Sequence, residues 1–332
     1  IPAGLNGLVG LKPSLGALST FGVVPACRTL DCVSIFATGI ADAMSVFDQA
    51  YAPDRRDPYS RPWRDDGWCV SDSPLRIGVP RAGDRRFFGD GAAETAYGAT
   101  LGKLADRACE IVEIPFGSFY AIAELLYDGP WVAERYAAIE AFIADHEEAL
   151  HPVTRGIIAP ARNYSAVDAF KGLYALEALK REVAPWVDSV DLLCVPTAPT
   201  WYTVAENRTD PVATNSNLGT YTNFVNLLGL CGLVVPTGTQ PDGRPASVTF
   251  LGQEGRERGL AAFARSFAER EDVPASNRST EASATAFEVA VVGAHLSGLP
   301  LNPELTVRGG RLLRTVRTAP DYRLFALNGV TP

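Results

Sequence analysis

The sequence predicts an α/β fold in which a parallel or mixed β-sheet is covered by helices, and three observations carry that prediction. Leu75-Arg-Ile-Gly-Val79 alternates as a strand, Ala92 to Arg107 reads as a helix and Cys109 to Ile114 as a second strand, the order of an α/β layer. Val190-Asp-Leu-Leu-Cys-Val195 is an apolar run suited to a strand covered on both faces. With 332 residues, 47% of them hydrophobic and 20% charged, the chain has room for a sizeable core.

The elements follow in order. In the first block Leu5, Leu8, Val9 and Leu11 alternate with Gly4, Gly7, Gly10 and Gly16, a glycine density that predicts close chain approach rather than a regular helix. Lys12 lies in a Gly-Leu-Lys-Pro turn, where Pro13 biases it towards an extended conformation, and it reads as a structural or surface lysine. The other lysines are Lys103, Lys171 and Lys180, and none adjoins a Ser-rich loop that would supply a nucleophile with its base. Val33 and Ile35 lead into Phe36, Ile40, Ala43, Met44 and Phe47 at about helical spacing, ending near Pro53, and Asp54 to Ser73 reads as a loop. Phe119 to Leu150 is helical with a break at Gly129-Pro130, since proline can begin a helix but cannot continue one. Ala166 to Val183 is a second long helix feeding the 190–195 strand. Pro196-Thr-Ala-Pro-Thr200 is then a rigid loop at a strand end, where open α/β sheets place their ligands, or a plain connection.

Asn226 to Pro236 and Ala246 to Gly252 read as two buried strands separated by a Gln240-Pro-Asp-Gly turn, and Gly259 to Glu269 as a helix. Residues 271–286 are polar and small and read as a linker. Phe287 to Gly298 opens a new apolar strand and Tyr322 to Leu327 another; about 45 residues cannot bury a core alone, so a second domain is expected to continue beyond Pro332.

Composition narrows the function. The net charge of -8 and a pI near 5.1, with no clustered Lys and Arg, argue against nucleic acid and anionic membrane surfaces as partners. No apolar run approaches the roughly 20 residues of a membrane span. A start at Ile1 rather than Met suggests a truncated chain. Six scattered cysteines suit free thiols in a reducing cytoplasm better than a disulfide framework. His146, His151 and His295 lack metal-ligand spacing, and neither a metal nor a cofactor is assigned.

Ile1-Pro-Ala-Gly-Leu-Asn-Gly-Leu-Val-Gly-Leu-Lys-Pro-Ser-Leu-Gly, continuing through Phe21-Gly-Val-Val-Pro-Ala-Cys-Arg-Thr-Leu-Asp31, resembles the second half of the amidase signature of Ser-cisSer-Lys amide hydrolases. In that family the acylating serine sits in a Gly-rich loop ending Gly-Ser-x-Arg-[Ile/Val]-Pro-Ala. The resemblance therefore puts the nucleophile three positions ahead of Ile1, and the 332 residues by themselves are expected to hydrolyse no amide. It implies an amidase-signature mixed sheet over residues 1–270, the 271–286 linker, and the truncated start of a small α+β domain over residues 287–332.

Within that family, Tyr127-Asp-Gly-Pro-Trp-Val-Ala-Glu-Arg135-Tyr and Ala290-Val-Val-Gly-Ala-His-Leu-Ser-Gly-Leu-Pro-Leu-Asn302 are similar to the substrate-recognition helix and the opening of the extra carboxyl-terminal domain of allophanate hydrolases. The resemblance implies conversion of allophanate to ammonia and carbon dioxide in urea degradation, a functional link to urea carboxylase, a homodimer, and no cofactor. It assigns Tyr127 and Arg135 to the substrate carboxylate and His295 to a later step in the second domain.

Chemistry supports the first assignment. Allophanate is a very small anion with almost no apolar surface, and a guanidinium grips a carboxylate through two parallel hydrogen bonds, with Tyr127 able to add a neutral donor. Eight positions along an unbroken helix are separated by about 80° and roughly 12 Å of rise, so the Gly129-Pro130 break is needed to bring the pair together. The structural alternatives are an ion pair of Arg135 with Glu134 or Glu140, and a core role for Tyr127. Rival identities are another amidase-signature hydrolase, a component of the amidotransferase for charged tRNA, or a non-functional gene fragment.

Overall fold

A computed structural model of the chain describes residues 1–69, 74–107, 109–269, 303, 306, 307 and 310–312. The chain divides into two compact units, Ile1–Arg278 and Ser279–Pro332. The first opens with α1 (Pro2–Leu5), β1 (Val9–Lys12), β2 (Ile35–Ala37), α2 (Ile40–Ala50), β3 (Arg76–Pro80), α3 (Gly91–Ala105) and β4 (Glu110–Ile114). A run of helices follows: α4 (Gly117–Asp128), α5 (Trp131–His146), α6 (Pro152–Ile158) and α7 (Ala166–Asp188). The chain then forms β5 (Leu192–Pro196), α8 (Val204–Thr209), α9 (Pro211–Leu218), α10 (Phe224–Leu227), β6 (Cys231–Thr239), β7 (Pro245–Gly252) and α11 (Glu257–Glu269). In the second unit Val307 N donates to Pro303 O at 2.9 Å, closing one turn. The linker and the two strands expected after residue 286 lie outside the described residues.

The seven strands form one mixed sheet in the order β2-β1-β6-β7-β5-β3-β4. β3 lies parallel to β4 and to β5, as the strand-helix-strand order requires, whereas β5–β7, β6–β7, β1–β6 and β1–β2 are antiparallel. Successive residues of a strand point to opposite faces. Leu192 and Cys194 accordingly join an apolar layer with α2, α3 and α11, while Leu193 and Val195 join a second layer with α4, α7 and α10. All five residues of β5 are buried, which is why its sequence shows no polar alternation.

The glycines of the first block serve close approach: a Cβ on Gly10 would lie 2.7 Å from the Ala3 Cβ, and one on Gly4 would strike Ser247 and Thr197 of the sheet. The block is nevertheless not free of helix, since Pro2 at the first helical position starts the single turn of α1 before β1 begins.

Several boundaries differ from the sequence expectation. β1 and β2 are strands of four and three residues, too short for an alternation to show. Asn226 and Leu227 close α10 rather than opening β6. α7 runs past Pro185 to Asp188, where the buried Val183 and the partly buried Val187 tie its last turns to the second apolar layer. Pro236, unusual inside a strand, sits beside a register shift between Pro236 and Gly238 that accommodates its missing N–H.

Candidate functional site

The candidate site lies on the face of the sheet covered by α4, α5 and α7. α4 ends at Asp128, Gly129 is extended with ψ -169°, and Pro130 precedes the first residue of α5. A glycine is required at the break, because a Cβ on residue 129 would stand 2.5 Å from Leu125 O. Gly172 of α7 packs so closely on the Pro130 ring that a methyl group there would collide with it. The break is thus held from both sides.

Its consequence is the meeting of Tyr127 and Arg135. The Arg135 guanidinium carbon lies 4.7 Å from the centroid of the Tyr127 ring, a cation–π distance that an unbroken helix would not allow. Both side chains are half-buried. Neither ion pair considered for Arg135 forms. Glu134 turns away and accepts from Thr29 N and Thr29 Oγ1, both at 2.8 Å, and among the described residues no carboxylate pairs with Arg135. A guanidinium stacked on a ring face keeps its edge donors, the geometry that takes a small carboxylate.

The loop carrying Thr29 completes the surroundings. Asp31 accepts from Ala26 N and Cys27 N at 3.0 Å each, Asn226 Nδ2 donates to Leu30 O at 2.9 Å, and the buried Cys27 Sγ donates to Trp131 O at 3.6 Å. Burial pushes the Cys27 thiol up, against the pull of the Arg135 guanidinium beside it. Thr29, Cys27 and Glu134 are not legible in the sequence as a group, because the Thr29–Glu134 contact joins residues 105 apart.

The other candidates are placed differently. Lys12 Nζ donates to Pro13 O at 2.7 Å, a local contact of the strand end. The Pro196–Thr200 loop is knitted into the sheet through Thr197 Oγ1 and Thr249 Oγ1 at 3.0 Å, and borders a cavity of about 20 Å³, room for one water. His151 Nδ1 accepts from Val153 N at 3.3 Å to cap α6, and His146 packs on Phe142. His295 lies outside the described residues. Among the described residues no group of three His, Cys, Asp or Glu side chains is placed to hold a metal ion, and no helix is long and apolar enough to cross a membrane.

The mixed sheet and its covering helices form the scaffold of an amide hydrolase, and the chain belongs to the amidase family, whose model matches residues 1–260. The family of the allophanate hydrolase C-terminal domain matches residues 287–332. The chain is 37% identical to urea amidolyase of Saccharomyces cerevisiae, over 98% of this chain and 19% of that protein. It superposes on the allophanate hydrolase of Kluyveromyces lactis with a TM-score of 0.79 at 36% identity, covering 92% of this chain and 53% of the other. A solved 6-aminohexanoate cyclic dimer hydrolase shares the fold, with a TM-score of 0.64 at 18% identity over 81% of this chain and 61% of the other. The chain thus spans about a fifth of the urea amidolyase and about half of the allophanate hydrolase.

Proposed function

We propose that this chain is part of an amide hydrolase that converts allophanate to ammonia and carbon dioxide in urea degradation, with Arg135 and Tyr127 as the substrate-binding pair. Acylation in the amidase family belongs to its Ser-cisSer-Lys relay. In that relay the serine oxygen attacks the terminal amide carbon, the proton passes through the bridging serine and lysine to the leaving nitrogen, and water then frees the acyl group. Arg135 contributes by holding the carboxylate at the far end of the substrate, which fixes so small a molecule in line for attack. Residues 287–332 are assigned to a second unit and His295 to decay of the N-carboxylated product there. A cytoplasmic location, a homodimer and a functional link to urea carboxylase belong to the same proposal.

One observation carries it: the Gly129-Pro130 break stacks Arg135 on Tyr127 with no described carboxylate on the guanidinium. The similarity to urea amidolyase and allophanate hydrolase supports the choice of substrate. The test is Arg135→Lys in the full-length gene product. An ammonium cannot form the paired grip, so kcat/KM on allophanate is expected to fall about ten- to a hundredfold, the worth of roughly 1.5 to 3 kcal/mol, while a neutral short amide is nearly unaffected. Equal losses on both substrates would mean that Arg135 serves folding. His295→Ala is expected to leave the first ammonia release intact and slow only the decay of the product.

A further inference from the structure

Arg135 sits on a short piece of helix whose direction no longer helix dictates. α5 starts after the break without a side-chain cap, and at Ile139 its backbone leaves the helical region with φ -127° and ψ 16°. The segment from Trp131 to Ala138 is therefore about two turns long with a break at each end, and its orientation comes from its contacts. Trp131 and Val132 are buried, and Cys27 Sγ donates to Trp131 O. The third contact is the double hydrogen bond from Thr29 to the Glu134 carboxylate. Glu134 adjoins Arg135, about 100° away around the helix, so holding Glu134 against a fixed loop sets the rotation at which Arg135 leaves the axis. The loop is fixed, by Asp31 on Ala26 N and Cys27 N and by Asn226 on Leu30 O.

We propose that Glu134 is a specificity-determining positioning residue: its grip on Thr29 aims the Arg135 guanidinium at the anionic end of the substrate. The inference rests on the assignment of Arg135 to that anion. Simple electrostatics predicts the opposite effect, since a carboxylate beside an anion site repels the anion and its removal would tighten binding. The sign of the change therefore separates the two roles.

The experiment is Glu134→Ala in the full-length protein, assayed on allophanate and on a neutral short amide. KM for allophanate is expected to rise about tenfold with kcat nearly unchanged, and KM for the neutral amide to stay where it was. Thr29→Val, which keeps the backbone donor and the Glu134 charge, is expected to shift KM in the same direction by less. Added to Arg135→Lys, Glu134→Ala is expected to cost nothing further, because it acts through Arg135. A fall or no change in KM, an equal loss on the neutral amide, or additivity with Arg135→Lys would each overturn the proposal. If Glu134→Ala does not fold, Thr29→Val decides: a silent Thr29→Val refutes it. Selective loss in Arg135→Lys with a silent Glu134→Ala sinks this inference alone, whereas an Arg135→Lys enzyme that still discriminates sinks the assignment of Arg135 as well.

Discussion

Asp90 accepts from Ala93 N at 3.0 Å to cap α3, and the same carboxylate takes Arg244 Nη1 at 2.8 Å and Arg244 Nη2 at 3.2 Å from the turn between β6 and β7. Burial would favour its neutral form, yet the Arg244 guanidinium and the Ala93 N–H hold the carboxyl below the usual aspartate range. A folded value below the unfolded one stabilises the fold above the unfolded value, near pH 4, and the contribution is lost as pH falls through the folded value. Asp90→Asn is therefore expected to cost about 1–3 kcal/mol at pH 7, and the gap between variant and parent to narrow below pH ~4. Denaturant titrations at pH 7 and 3 measure it; a gap that stays constant would show that the charge of Asp90 contributes nothing. The cap is within reach of the sequence, since an aspartate precedes the helix read from Ala92. Arg244 is not, because it lies 154 residues away.

α4, α5 and α7 meet at the Pro130 ring, and Gly172 is the residue that lets them. Gly172→Ala improves the helix propensity of α7 by about 1 kcal/mol, yet it drives a methyl group into a ring that cannot swing aside. The expected outcome is a net loss of stability of about 1–3 kcal/mol together with weaker use of allophanate, as the break reopens and Arg135 leaves Tyr127. A thermal melt and a KM measurement check it, and a variant more stable than the parent would mean that the contact is loose. The Gly129-Pro130 break is legible in the sequence because proline and glycine act locally. α8 carries a local signal too: Thr203 and Glu206 form a capping box, with Thr203 Oγ1 accepting from Glu206 N at 3.2 Å and Glu206 accepting from Thr203 N at 2.7 Å. The kink at Ile139 carries no proline or glycine, and no local signal marks it.

At the scale of the molecule, both apolar layers draw on a sheet that closes within Ile1–Arg278. A chain ending at Arg278 is accordingly expected to melt within about 4 °C of the 332-residue chain, the shift that roughly 1 kcal/mol produces in a domain of this size. A drop beyond about 10 °C would show that residues 279–332 support the core. The sequence by itself determined the α/β class, the parallel β3–β4 unit, the doubly buried β5, the β6–β7 hairpin and the helix break, because each rests on a local rule: side-chain period, apolar continuity, or the geometry of glycine and proline. It also carried the family resemblance through residues 1–31. Tertiary structure alone decided that β1, after a turn of α1, pairs with a strand some 220 residues downstream, Leu11 against Leu233. It alone turned Glu134 to Thr29 and left Arg135 stacked on Tyr127. Those outcomes depend on which distant surfaces the folded sheet brings within a few ångströms, and no spacing along the chain encodes that distance.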